Sequence, residues 1–210
     1  MKLPCLLQFR ILKEAIKAAI TGPYTSKFPF KPHEPEEAFR GAPEFDDDDC
    51  VGCSACAQVC PPGAITFEDV IENGKAVRKF TLRYEMCIFC GQCQANCITQ
   101  KGIMLGKKFD LATFNRQEAI DAVEKELVLC EICKAPVGTK EHILWLAEQL
   151  GPLAYSNPTL FLSSLRKMKL APDIKPRDKA SAEVPTRRFD LMHILCPRCR
   201  RKSVLKESLV

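Results

Sequence analysis

The sequence predicts an α+β protein in three segments, and three observations carry that reading. Eight of its 13 cysteines fall in two copies of one spacing, C-x2-C-x2-C-x3-C, with a strand–turn–strand pattern between the copies. Four more form two Cys-x-x-Cys pairs later in the chain. A stretch of helical period and a proline-rich arm precede them all. The expected segments are an amphipathic helix and extended arm over 1–44, a cysteine-rich core over 45–110, and a helical lobe with the paired Cys-x-x-Cys over 111–210.

The 210 residues are 46% hydrophobic and 27% charged, the balance of a globular protein. No charged-then-apolar leader with a small-residue cleavage site is expected. Twelve cysteines in short repeated spacings therefore read as metal ligands in a reducing compartment rather than as disulfides. Only Cys5 is left over. The net charge of +5 is uneven: residues 1–49 carry −2, residues 50–163 carry −1, and residues 164–210 carry +8. A basic end of this kind can meet an acidic partner, anionic lipid or nucleic acid, although most such charges are simply solvated surface. No run reaches the ~18 apolar residues of a spanning helix, so no transmembrane segment is expected.

The elements follow in order. "LQFRILKEAIKAAI", 7–20, sets Arg10, Lys13, Glu14 and Lys17 on one helical face opposite Phe9, Ile11, Leu12 and Ile16. Thr21-Gly22-Pro23 ends it, because glycine caps and proline cannot continue. "TSKFPFKPHEPEEAFRGAPEF" has four prolines and no period, and reads as an extended arm. "DDDD", 46–49, reads as a solvated acidic patch. Between the cysteine repeats, "AITFEDVIENGKAVRKFTLRYE" reads as strand, Asn-Gly turn, strand. The stretch 114–129, "FNRQEAIDAVEKELVL", reads as a helix capped by Asn115. "KEHILWLAEQLG" and "PTLFLSSLRKMKLAP" read as two further helices, and "APDIKPRDKASAEVPTRR" as a charged surface loop.

"CVGCSACAQVCP" and "CIFCGQCQANCI" are the C-x2-C-x2-C-x3-C run of two-cluster bacterial ferredoxins, in which the fourth cysteine serves the other cluster. Three thiolates in a looping backbone can wrap one face of an iron–sulfur cube. The fourth sits a helical turn beyond, so a short helix can run between two clusters with a ligand at each end. Cys50, Cys53, Cys56 and Cys97 are accordingly assigned to one [4Fe–4S] cluster, and Cys87, Cys90, Cys93 and Cys60 to the other. Gly52 and Gly91 help the backbone turn, and Ile88 and Phe89 are expected to shield a cluster from water. Cys97 is followed by Ile98 where Cys60 has Pro61, a position that supplies no ligand.

Adjacent clusters suit single-electron hopping. The chain offers no Gly-rich phosphate loop and no nucleophile elbow, and His33, His142 and His193 are scattered. No catalytic centre is expected within the chain. Cys130-x2-Cys133 and Cys196-x2-Cys199 suit a tetrahedral four-sulfur site, for zinc before mononuclear iron and with a third Fe–S cluster behind both. Free thiols or a redox disulfide are the bland alternative, and His193 is a fallback ligand. Such a site would staple the C-terminal lobe and suit a fixed subunit more than a diffusing carrier.

The helix, the arm "TSKFPF…FRGAPEF" and the doubled motif together resemble the ferredoxin-like subunit of respiratory complex I and of group 4 membrane-bound [NiFe] hydrogenases. With "LVLCEICKAPVGTKEHI" and "CPRCRR", the resemblance is nearest to the iron–sulfur subunit of formate hydrogenlyase and hydrogenase-4. It implies an electron-transfer subunit peripheral on the cytoplasmic face of the membrane. Implied partners are the hydrogenase small and large subunits, a donor-side iron–sulfur subunit, and membrane-arm subunits met through residues 1–44. A complex I-like quinone oxidoreductase subunit is the first alternative. A zinc-lobe nucleic-acid-binding module is the second, disfavoured because the basic tail has little aromatic interleaving.

Overall fold

Two antiparallel sheets, one of two strands and one of four, position the two cysteine loops. The computed structural model describes residues 9–22, 28–72, 75–171 and 193–205. Cys5, the Asn73-Gly74 turn and most of the charged 171–188 loop lie outside the described residues.

The chain divides into two units, Met1–Phe39 and Arg40–Val210. The first contains α1 (Phe9–Thr21), the helix expected from its period, none of whose residues is buried. Gly22 ends it at φ 76°, donating its N–H to Ala18 O at 3.0 Å. This is the left-handed exit for which glycine is suited. Beyond it, residues 28–39 form turns and irregular chain.

In the second unit, β1 (Pro43–Phe45) pairs antiparallel with β4 (Ile103–Leu105), with Glu44 opposite Met104. This ladder brackets the two cysteine repeats. Between them, β2 (Ile65–Glu72) and β3 (Lys75–Arg83) pair in register from Ile65↔Leu82 to Glu72↔Lys75. The two expected strands are therefore present and paired. Each repeat ends in one turn of helix, α2 (Ala55–Gln58) and α3 (Gln92–Ala95).

The stretch 114–129 departs from expectation. Asn115 does cap, accepting from Gln117 N, but the element is a single 3-10 turn, and Ile120–Leu129 is a strand, β5. β5 pairs antiparallel with β3 (Phe80↔Val123) and with β6 (Pro136–Thr139), giving the sheet order β2-β3-β5-β6. Glu, Ala, Leu and Lys are good helix formers, but pairing along β3 overrides that local preference. The C-terminal region is thus built from strand and helix together, not from helices alone. Its helices are α4 (Lys140–Leu150), α5 (Pro158–Lys167) and α6 (Pro197–Leu205). The first two match the sequence reading, and Asn157 caps α5 by accepting from Thr159 N.

The main core gathers Ala42, Ile65, Phe80, Leu82, Tyr84, Ile103 and Val123 around Cys56 and Cys93. Tyr84 is buried, and its hydroxyl donates to Pro43 O at 3.0 Å, which pins β1 to the end of β3. Burial, then the nearby Asp121 and Glu44 carboxylates, push its phenol up to about 12. A second core holds Ile143, Ala147, Ala154 and Leu160, where α4 and α5 meet.

Candidate metal centres

The first cysteine loop is ordered at its entry by the acidic run. Asp46 Oδ1 accepts from Asp48 N and Asp49 N, each at 2.9 Å, and Cys50 N donates to Asp46 O at 2.9 Å. The four aspartates are exposed, as expected of a solvated patch, but the first of them also folds the chain into the loop. The loop then turns through two left-handed residues, Gly52 (φ 69°) and Ser54 (φ 69°), before α2 begins. The second loop does the same at Phe89 (φ 52°) and Gly91 (φ 78°).

Two small cavities result. One is lined by Cys50, Cys53, Cys56 and Cys97, with Phe45, Phe80, Ile98 and Ile103 among its walls. The other is lined by Cys60, Cys87, Cys90 and Cys93, with Pro43, Ile65, Leu82 and Phe89. Each cavity takes three cysteines from one repeat and the fourth from the other. No Asp, Glu, His, Lys or Arg lines either. A soft, all-thiolate donor set in an apolar shell fits an iron–sulfur cluster. Ile88, expected as a shield, lines the second cavity yet is 60% exposed, whereas Phe89 is half-buried against the core.

Burial pushes the Cys56 thiol up to about 12, and the adjacent Cys50 and Cys53 raise it further. Burial also raises Cys50, Cys87 and Cys93, against backbone N–H groups that lower them. One of these is Phe89 N, 3.4 Å from Cys87 Sγ. Cys97 goes the other way. Burial is its largest influence and raises it, but the Thr99 hydroxyl at 3.3 Å and the backbone around Thr99, Gly102 and Ile103 bring it below the ordinary value. Thr99 carries no signal in the sequence and Asp46 reads there only as part of an acidic patch, because neither belongs to a ligand spacing.

The late cysteines converge. Cys130 directly follows the strand β5, Cys133 lies in the turn after it, Cys196 precedes α6 and Cys199 lies within it. Glu131 N donates to Ile194 O at 3.0 Å, joining the two segments. All four sulfurs lie within 4.8 Å of one another, and Cys133 Sγ is 3.5 Å from Cys196 Sγ. Tetrahedral zinc–thiolate bonds of ~2.3 Å put sulfurs about 3.8 Å apart. The group therefore fits one ion. Three of the sulfurs belong to buried residues, and Cys133 is exposed. Burial raises Cys130, but N–H groups of Cys133, Cys196 and Ile132 outweigh it and bring the thiol down to about 7. His193 stands outside the sulfur group: its Nδ1 meets the Glu131 carboxylate, which also takes Arg166 at 2.9 Å. His33 is exposed, and His142 is half-buried beside Trp145, its pKa lowered by burial and by Arg78.

Interlaced thiol pockets on a doubled motif define the class: a two-cluster ferredoxin-like iron–sulfur protein. The model of the 4Fe-4S dicluster domain matches residues 30–101. Formate hydrogenlyase subunit 6 of Escherichia coli K12 is 33% identical over 135 residues, covering 64% of this chain and 72% of that protein. NADH-quinone oxidoreductase subunit I 2 of Geobacter metallireducens is 30% identical over 122 residues, 55% of this chain and 92% of that one. A chain in the structure of membrane-bound sulfane sulfur reductase, an archaeal respiratory membrane complex, is 28% identical over 53% of this chain and 59% of its own, with a TM-score of only 0.37. The protein belongs to the family of ferredoxin-like iron–sulfur subunits that includes formate hydrogenlyase subunit 6 and subunit I of the quinone oxidoreductases.

Among the described residues, no helix is long and apolar enough to cross a membrane.

Proposed function

We propose that this chain is an electron-transfer subunit of a membrane-bound [NiFe] hydrogenase complex of the formate hydrogenlyase type. It relays electrons between a donor and the hydrogenase small and large subunits through two [4Fe–4S] clusters, which when bound supply one-electron chemistry. Cys50, Cys53, Cys56 and Cys97 hold one cluster, and Cys87, Cys90, Cys93 and Cys60 the other. Cys130, Cys133, Cys196 and Cys199 hold a single zinc ion, which fixes the C-terminal region for docking. The chain lies on the cytoplasmic face of the membrane, with residues 1–44 as its docking segment.

The observation that carries this reading is the exchange of the fourth cysteine between the two cavities. Two thiol-lined pockets that each draw a cysteine from the other repeat support a path for single electrons between two clusters. The exposed apolar side of α1, with Phe9, Leu12, Ile16 and Ile20, supports attachment to a larger assembly. The match over 92% of a quinone oxidoreductase subunit favours a second reading, a complex I-like quinone oxidoreductase subunit.

Anaerobic purification from gently solubilised membranes separates the two. The hydrogenase reading expects nickel and hydrogen turnover to co-elute with the chain, and about eight irons and one zinc per copy. Quinone reduction without hydrogen turnover selects the second reading. A nickel-free protein alone in the soluble fraction sinks the first.

A further inference from the structure

We infer that Lys125 tunes electron transfer: this buried lysine, its stem across loop 50–54 and its ammonium held at the loop's entry, raises the reduction potential of the cluster seated by Cys50, Cys53, Cys56 and Cys97 above that of its neighbour. An electron entering the chain then settles on that side. The inference rests on the two-cluster reading above.

Lys125 lies in β5, where inward positions alternate with outward ones: Val123, Lys125 and Leu127 are buried, while Glu124 and Glu126 are exposed. A lysine in that series is unusual, because burying a charge costs several kcal/mol unless something compensates it. Lys125 is 8% exposed, and its Nζ donates to the carbonyl of Asp47, at the entry to the first cysteine loop. Its Cβ and Cγ lie 3.2 and 3.1 Å from where a side chain on Gly52 would begin. The stem is therefore laid directly across the loop that carries Cys50 and Cys53.

Among the described residues, Lys125 makes no ion pair. The four aspartates at 46–49, around its contact with Asp47 O, are exposed, and water and salt screen them. The carboxylates on either side of it are engaged elsewhere, Glu124 with Lys79 at 3.2 Å and Glu126 with Lys140 at 2.9 Å. The other cation at this loop, Arg78, donates to Ser54 Oγ at 3.1 Å but is held by Asp69 through two contacts of 2.7 and 2.9 Å. That pair is close to neutral. Lys125 is left as the buried cation against this loop, engaged by a carbonyl rather than by a carboxylate.

Among the described residues, no buried cation is seen against the second loop. Arg40 reaches Cys90 O there at 3.4 Å but is exposed, so water and salt screen it. Cluster potentials follow local charge, hydrogen bonding and exposure. A fixed positive charge favours the form that has gained an electron, so the side nearer Lys125 is reduced first.

The test is a dithionite titration followed by EPR, on the full chain purified anaerobically in its complex. Each cluster takes one electron from dithionite through mediators. In the unaltered protein the two clusters should titrate at least tenfold apart in reduced-to-oxidised ratio, which is about 59 mV for a one-electron couple. Lys125→Met keeps the apolar stem and removes the charge. It should move the higher midpoint down by at least a factor of ten, leave the lower one in place and retain the iron. Lys125→Arg should restore the separation. Thr139→Val disturbs the same packing without changing charge and should move neither midpoint.

Retained iron with unmoved midpoints, or an equal shift of both, overturns the inference. Should Lys125→Met lose iron, the unaltered chain and Lys125→Arg decide, since a common midpoint in the former or a collapsed separation in the latter is equally fatal. Absence of any cubane signal in the unaltered protein would instead overturn the two-cluster reading.

Discussion

The two cysteine loops share one ligand spacing and one backbone path, yet they place their glycines at different points. Position three of the motif is Gly52 in the first loop and Phe89 in the second, and position five is Ser54 in the first and Gly91 in the second. All four residues are left-handed, with φ between 52° and 78°. Each loop thus needs two turns of a kind that L side chains resist, and each relieves only one with glycine. The reason lies in what leans on them. A Cβ at Gly52 would sit 2.8 Å from Thr139 Cγ2, at the end of β6, whereas Phe89 has room for a ring that walls its own cavity. Thr139 is fully buried, and its hydroxyl donates to Val51 O at 2.5 Å. Ligand spacing dictates the path of the chain. The added β5–β6 segment dictates where that path must be bare.

The exchange of fourth cysteines is the deepest symmetry between the loops, and breaking it should have the largest effect. Cys97→Ser and Cys60→Ser are each expected to lose about four of about eight irons. Pairs of substitutions settle the assignment. Cys97→Ser with Cys50→Ser should lose no more iron than either alone, while Cys97→Ser with Cys87→Ser should lose nearly all of it. The reverse pattern in iron analysis would mean that each repeat fills its own cavity.

Next in size is the late four-sulfur site, which concerns only the segment seated on the first loop. Structural zinc contributes ~10–16 kcal/mol of binding energy to small zinc-dependent folds, and that energy is folding energy. Cys130→Ser should release one ion and make the chain between 130 and 199 sensitive to limited proteolysis, with the iron retained. Concerted loss of iron and zinc would show instead that the first loop cannot hold its shape without the seated segment. Either result measures how strongly the two parts are coupled.

These contrasts also explain what the sequence made legible. The eight cysteines were readable because each ligand spacing is local, spanning one loop and one helical turn. The exchange between cavities followed from the pattern of two-cluster ferredoxins, in which the fourth cysteine serves the other cluster. Convergence of Cys130 and Cys133 with Cys196 and Cys199 was readable as chemistry, but its closeness depends on the Glu131–Ile194 contact, which no spacing encodes. The strand β5 was misread as a helix for an instructive reason. Its alternation runs Val123, Lys125, Leu127 inward, and a lysine at the central inward position erases the apolar period that marks a strand. The residue that hid the strand is the one laid against the first cluster loop. A signal did exist: "VEKEL" alternates strictly if Lys125 is allowed to point inward.

The glycines themselves give a smaller, sharper contrast. Gly91→Ala meets only Leu105 Cδ1 at 3.4 Å, so its penalty is the left-handed backbone, ~1–2 kcal/mol. Gly52→Ala carries the same backbone penalty and also drives a methyl into Thr139 and Lys125, adding ~1–3 kcal/mol of overpacking. Denaturant unfolding of the metal-loaded protein should rank Gly52→Ala clearly below Gly91→Ala. Equal losses would mean that β6 moves aside freely.

Smallest of all should be Ser54→Gly, which makes the first loop match the second at position five. Removing Cβ from a residue at φ 69° relieves ~1–2 kcal/mol of backbone strain. Against this stands the 3.1 Å hydrogen bond from Arg78 to the serine hydroxyl, for which ~0.5–1.5 kcal/mol is usual. The two nearly offset, so stability should change by less than about 1 kcal/mol. A large loss would mean that Arg78 depends on Ser54 for its position as well as on Asp69, and so that the first loop is braced by the sheet through a serine that the second loop replaces with glycine.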